Sequence, residues 1–206
     1  DACTRPQSIQ FISSATKFWG AELSLLDLAS EMVRSGHSVR LLCRSPELLA
    51  AWNRRVGGPS RLWSASSGRW GALVGAAHSL RRSPAPITVL WSYDLAVLSL
   101  LPHSFLRQRS LYLDLHDRLH GRRGQLIMRK LSRRLSGIIA NSNFASNYLP
   151  SSTVTVLYRP ALTPDVPSPD GRDTVNRGDL KVGLVGRIEP IKNHMLLILA
   201  IMELEG

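Results

Sequence analysis

The stretch from Gln7 to Cys43 constrains the fold of this chain more than any other. Gln7-Ser-Ile-Gln-Phe-Ile-Ser13 reads as a short strand, and the loop Ser14-Ala-Thr-Lys-Phe-Trp-Gly20 follows it. From Ala21 to Val33, Ala21, Leu25, Leu28, Ala29 and Met32 recur at helical spacing, so one face of a helix is core. Gly36 stands where such a helix is capped, and Ser38–Cys43 is a second apolar strand. A strand, a helix and a strand in so short a span argue for parallel strands joined by a crossover helix.

The alternation continues. Pro46–Arg55 is predicted helical, Arg61–Trp63 a weak strand, and Trp70–Leu80 a helix ended by Arg81-Arg-Ser-Pro-Ala-Pro86. Ile87–Trp91 is a strong strand, followed by a helix over Asp94–Leu101. Ser110–Leu115 is the next strand, with His116 and Asp117 at its carboxyl end. Gln125–Leu135 reads as a basic amphipathic helix, Gly137–Ala140 as a buried strand ending in Asn141-Ser142, and Val154–Leu157 as the last strand of this half. Asn141 or Ser142 is placed to cap a helix running through Tyr148. The expected fold class is α/β, a Rossmann-like parallel sheet flanked by helices.

A Pro- and Gly-rich run with few apolar residues follows Pro160 and reads as a linker over 161–178. The expected organisation is a first domain over 1–160, that linker, and over 179–206 the opening βα unit of an incomplete second Rossmann-like domain. In that last segment, Val182–Val185 is an apolar run closed by Gly186-Arg187. Pro190 stands at the start of a helix whose apolar part is Met195–Met202. Strand, glycine turn and helix start bring free backbone N–H groups and the helix dipole to one spot, which suits an anion. Arg187 and Lys192 flank the turn, and a diphosphate is the ligand it suits.

The formal net charge of +11 over 206 residues points to partners bearing phosphate or other anionic groups. It does not specify nucleic acid, because no zinc-finger, helix-turn-helix or aromatic-rich sheet motif accompanies it. No apolar run approaches the length of a membrane span. The cysteines, Cys3 and Cys43, make neither a disulfide framework nor a metal-ligand pattern; Cys43 is expected in the core, and a reducing cytoplasm fits.

The segment Gly186-Arg187-Ile-Glu-Pro-Ile-Lys192-Asn-His resembles the opening of the C-terminal domain of family 4 glycosyltransferases. These are retaining enzymes of the two-domain GT-B fold. The resemblance implies that Gly186, Arg187 and Lys192 hold the diphosphate of a nucleotide-sugar donor. Trp19-Gly20-Ala21-Glu22 is similar to the family's Gly-Gly-Ala-Glu, with Trp19 in place of the first glycine. It implies that Gly20, Ala21 and Glu22 line the approach of donor sugar or acceptor. A helix N-terminus with Glu22 in its first turn accounts for the same residues without a ligand. His116 matches a family histidine near the donor sugar, the expected catalytic residue, beside Asp117. Tyr93, after the Ile87–Trp91 strand, is a further candidate for acceptor contact.

The resemblance implies transfer of a sugar from a nucleotide-sugar donor to a hydroxyl acceptor, with retention and with no bound metal or other cofactor. The acceptor is expected to be a glycan or a lipid-linked precursor of the cell envelope or a polysaccharide. The family's donor-binding glutamates would fall after Gly206, so the 206-residue chain is expected to have little activity alone. Contact of the basic helix with an anionic membrane, at the inner face, is a further expectation. A nucleotide-sugar epimerase or phosphorylase on the same fold, and a non-catalytic polyanion-binding module, remain open at this stage.

Overall fold

The computed structural model describes residues 5–62, 69–82, 85–101, 110–116 and 121–158. All lie in the first of two units into which the chain divides, Asp1–Pro160. Trp63, Asp117, the expected linker and the segment bearing Gly186, Arg187 and Lys192 lie outside the described residues.

Strands β1 (Ser8–Ser13), β2 (Ser38–Cys43), β3 (Ser60–Leu62), β4 (Ile87–Leu90), β5 (Ser110–Leu115), β6 (Gly137–Ala140) and β7 (Val154–Val156) form one sheet. Their order is β3-β2-β1-β4-β5-β6-β7, and every neighbouring pair is parallel. Among the described residues the α-helices are α1 (Gly20–Arg34), α2 (Pro46–Arg55), α3 (Arg69–Arg82), α4 (Arg122–Ser132) and the single turn α5 (Asn143–Ser146). The crossover reading of Gln7–Cys43 therefore extends to the whole sheet.

Side-chain alternation along the strands divides the core between the sheet's two faces. Ile9, Phe11, Val39, Leu41, Val89 and Trp91 pack with Leu25, Leu26 and Ala29 of α1 and with Leu48 and Trp52 of α2. Phe11 stands edge-on between Trp52 and Trp91, with ring centroids 6.3 and 6.0 Å away. Each such aromatic pair adds about 0.5–1.5 kcal/mol beyond its area burial. On the other face, Ile12, Leu42, Leu90, Leu111, Leu113 and Leu115 meet Ala76 and Leu80 of α3 and Met128 and Leu131 of α4.

Local chemistry sets the helix ends. At the end of α1, Gly36 takes φ 84°, its N–H reaches Val33 O at 2.9 Å, and His37 N–H reaches Met32 O at 2.9 Å. This pair of bonds is a Schellman ending, with Gly36 one position beyond the capping residue Ser35. At the start of α2, Ser45 Oγ accepts from Leu48 N–H at 3.1 Å and Pro46 holds the first position.

Besides α5, which ends at Ser146 short of Tyr148, two elements differ from expectation. Tyr93–Leu100 winds as a 3-10 helix in place of the helix expected over Asp94–Leu101. At three residues per turn, Leu95 and Leu98 fall in one line and are both buried. The basic helix begins at Arg122 and turns Met128 and Leu131 inward, while Leu126 and Ile127 are 56% and 59% exposed. Arg129 is exposed but engaged. Its Nε and Nη2 donate to Tyr148 O at 3.1 and 2.9 Å, tying α4 to the chain after α5.

Candidate functional site

In an open parallel sheet, ligands bind beyond the carboxyl ends of the strands, where the strand order reverses and adjacent loops part. Here the reversal falls between β1 and β4, which pair directly although α1, β2, α2, β3 and α3 separate them in sequence. The loops leaving these two strands are stitched together. Trp91 N–H donates to Ile12 O at 2.8 Å, Ser14 N–H to Ser92 Oγ at 3.2 Å, and Ser14 Oγ to Asp94 Oδ1 at 2.7 Å. The crevice is thus lined by fixed polar groups.

His116 leaves β5 at the same edge. Asp114, two residues earlier and on the same side of the strand, is buried at 1% exposure, a rare setting for a carboxylate. Its Oδ1 lies 3.2 Å from His116 Nε2. The imidazole packs against the Trp91 indole, ring centroids 4.7 Å apart and planes inclined by 56°. From the neighbouring strand end, Asn141 Nδ2 donates to His116 O at 2.7 Å. The backbone and ring face are held and Nε2 is turned to the Asp114 carboxylate, while the side chain keeps 17% of its surface open. A histidine so held can meet a hydrogen-bonding ligand in one orientation.

The N-terminus of α1 adjoins this cluster through Trp91, whose Nε1 donates to Ala21 O at 3.1 Å. Trp19 is the capping residue, and its indole supplies no acceptor for the helix amides. Only the reciprocal half of a capping box forms, with Glu22 Oε2 accepting from Trp19 N–H at 3.0 Å. Burial pushes the Glu22 carboxyl above its ordinary 4.5, and the bonds from Trp19 N–H and from its own N–H partly oppose that rise. Glu22 therefore serves the helix start. A Cβ on Gly20 would meet nothing within 4 Å, so the space before the first turn of α1 is open. Lys17 Nζ sits 5.3 Å from the Trp19 ring at the rim of this loop.

The structure thus joins Gly20, Ala21 and Glu22 to His116 through one indole. Tyr93, two residues beyond Trp91, opens the 3-10 helix and is half exposed. Asp117 lies outside the described residues, as do Gly186, Arg187 and Lys192. Ser142, rather than Asn141, caps α5, its Oγ accepting from Ala145 N–H at 3.2 Å, which frees the Asn141 amide to hold His116. Reading by sequence missed Asp114 and Trp91. The available signal was a carboxylate inside the apolar run Leu113-Asp114-Leu115, two positions before a histidine and so on the same face.

No family model matches the chain, and no curated protein matches its sequence. Solved structures match its fold. Anabaena Alr3699/HepE in complex with UDP-glucose superposes with a TM-score of 0.59 at 19% identity, over 73% of this chain and 43% of that one. The apo lipopolysaccharide outer core galactosyltransferase WaaB gives 0.58 at 13% identity, over 75% and 46%. Acinetobacter baumannii MurG gives 0.52 at 12% identity, over 76% and 47%. The fold is the one found in GT-B glycosyltransferase structures, a class that a seven-stranded parallel sheet flanked by helices fits. The chain spans less than half the length of these neighbours.

Proposed function

We propose that this chain forms the acceptor-side part of a retaining glycosyltransferase of the family 4 type, which moves a sugar from a nucleotide-sugar donor to a hydroxyl acceptor. The observation that carries the reading is His116, oriented by Asp114, Trp91 and Asn141 at the edge where the strand order reverses. The solved neighbour HepE is described in complex with UDP-glucose, and with UDP, which supports a nucleotide-sugar donor. A structure described as a putative UDP-N-acetylglucosamine 2-epimerase from Listeria monocytogenes is also similar, at a TM-score of 0.52 and 10% identity. Transfer is favoured over epimerisation because the neighbours with higher TM-scores are transferases.

In this reading the sugar lies between His116 and the open start of α1. The imidazole hydrogen-bonds a sugar hydroxyl, and backbone N–H groups at Gly20 and Ala21 approach the ligand. Tyr93 and Asp117 contact the acceptor. Arg187 and Lys192 neutralise the leaving diphosphate, where negative charge grows in the transition state. No metal or other cofactor is invoked. The acceptor is a glycan or lipid-linked precursor, met in the cytoplasm or at the inner membrane face. The exposed Leu126 and Ile127 on the basic helix α4 favour peripheral contact with an anionic membrane.

Calorimetric titration of UDP, GDP, ADP and TDP tests the donor, using this chain and a form joined to a complete second domain. One nucleotide is expected to bind saturably to the two-domain form, and Arg187→Glu or Lys192→Glu to abolish that binding with the fold intact. Unchanged affinity in both variants would remove the assignment. Salt-sensitive co-sedimentation with anionic vesicles, lost in a Leu126→Ser, Ile127→Ser variant, is the corresponding membrane result.

A further inference from the structure

On the α3 side of the sheet, the face opposite the His116 cluster, lies a cavity of about 400 Å³. Arg40 of β2, Arg61 of β3, and His78 and Arg82 of α3 line it, and no carboxylate is among its lining residues. Gln10 of β1 closes its inner end. Gln10 is 2% exposed, its Nε2 donates to Ser79 Oγ at 3.0 Å, and its Oε1 has no hydrogen-bond partner. Arg40 Nε is likewise buried without a partner. Gln10 and Arg40 are register partners, and Thr88 on β4 extends the same row, so a polar band crosses the sheet face beside the apolar row of Ile12, Leu42 and Leu90.

Buried donors and acceptors left unmatched cost stability, so each calls for a physical reason, such as a bound water, an ion or a ligand. Here an unmatched guanidinium N–H and an unmatched carbonyl oxygen belong to two residues that line one cavity, beside two further arginines that carry no carboxylate partner among the described residues. The donors call for an anion with several oxygens, which guanidinium forks bind well. The acceptor calls for a hydroxyl. We propose that this cavity binds a small phosphorylated sugar or polyol, its phosphate held by Arg40, Arg61 and Arg82 and a hydroxyl donated to Gln10 Oε1. The site is separate from the one assigned to transfer and does not depend on it.

Calorimetric titration of glucose 1-phosphate, inorganic phosphate and glucose into the chain tests the inference. Glucose 1-phosphate is expected to saturate a single site, phosphate to bind at least tenfold more weakly, and glucose not to bind. Arg40→Gln and Arg82→Gln should each weaken the sugar phosphate about tenfold. Gln10→Leu should weaken it while sparing inorganic phosphate. Arg82 is exposed, so its variant carries the test even where replacing Arg40 or Gln10 impairs folding, as circular dichroism would reveal. His116→Ala and Arg187→Glu should leave binding unchanged. Absence of saturable binding, indifference to Arg82→Gln, or loss of binding in Arg187→Glu overturns the inference.

Discussion

Asp114 and His116 face each other across 3.2 Å, carboxylate Oδ1 to imidazole Nε2, at the carboxyl end of β5. Their spacing of two residues is what lets one strand carry both, since alternate side chains share a side. The carboxylate has no open surface of its own, so its effect on any ligand passes through the ring. Asp114 is a positioning residue in the proposed reaction.

Asp114→Asn keeps the shape of the side chain and removes its charge. In the proposed two-domain enzyme it is expected to lower kcat/KM about tenfold or more, and His116→Ala to lower it further. Because Asp114 acts through His116, the double variant should be no worse than His116→Ala alone. Additive losses would assign Asp114 a separate role.

Trp91 is nearly fully buried, packs on Phe11 and His116, and donates to Ala21 O. Trp91→Ala should cost about 3–5 kcal/mol through the cavity it leaves. Trp91→Phe retains a ring but loses the indole N–H, at about 1 kcal/mol. Urea unfolding followed by far-UV circular dichroism measures both, and equal midpoints for Trp91→Phe and the parent would show that the bond to α1 contributes nothing.

Glu22 makes stability depend on pH. Its folded value is raised above 4.5 by burial, so the folded chain holds this proton more tightly than the unfolded chain does. The resulting stabilisation is complete below the ordinary value and is lost as pH rises through the folded one. Glu22→Gln keeps an acceptor for Trp19 N–H without the charge. Relative to Glu22→Gln, the parent should lose stability as the pH is raised from below 4.5 towards neutrality. Parallel urea midpoints across that range would contradict the assignment.

Two glycines at opposite ends of α1 should respond differently to alanine. Gly36 has φ 84°, a left-handed conformation that costs a residue with a Cβ about 1–2 kcal/mol, and Gly36→Ala should lose that much. Gly20 has open space around its Cβ position, so Gly20→Ala should unfold at the same urea concentration. If ligand approaches that space, the same variant raises KM in the proposed two-domain enzyme. An unaltered KM would take Gly20 out of the site.

The sheet was legible because period and punctuation agreed. Ser38–Cys43, Ser110–Leu115 and Gly137–Ala140 are strands over the same residues that their apolar runs predict. The single turn α5 and the 3-10 helix Tyr93–Leu100 were not legible as such, since apolar content marks burial and leaves the winding of a short segment open. Of the site, His116 could be picked out as a polar residue at a strand end. Its partners could not, because Trp91 reads as core and Asp114 as an interruption of a strand. Their meeting depends on β4 lying next to β5, which no local pattern encodes. The exposure of Leu126 and Ile127 was hidden for a related reason, as an amphipathic pattern does not reveal how much of the apolar face a sheet will cover.

The pairing of β1 with β4 also orders events during synthesis. At typical elongation rates, residue 90 follows residue 13 on the ribosome by on the order of ten seconds. Over that interval β1 has only β2 to bond with, and its other edge offers unpaired amides and carbonyls to any strand within reach. The crevice that holds His116 comes into being only when the second half of the sheet docks on the first. A nascent chain stalled before Ile87 would therefore present a bare, apolar strand edge, the kind of surface that chaperones bind.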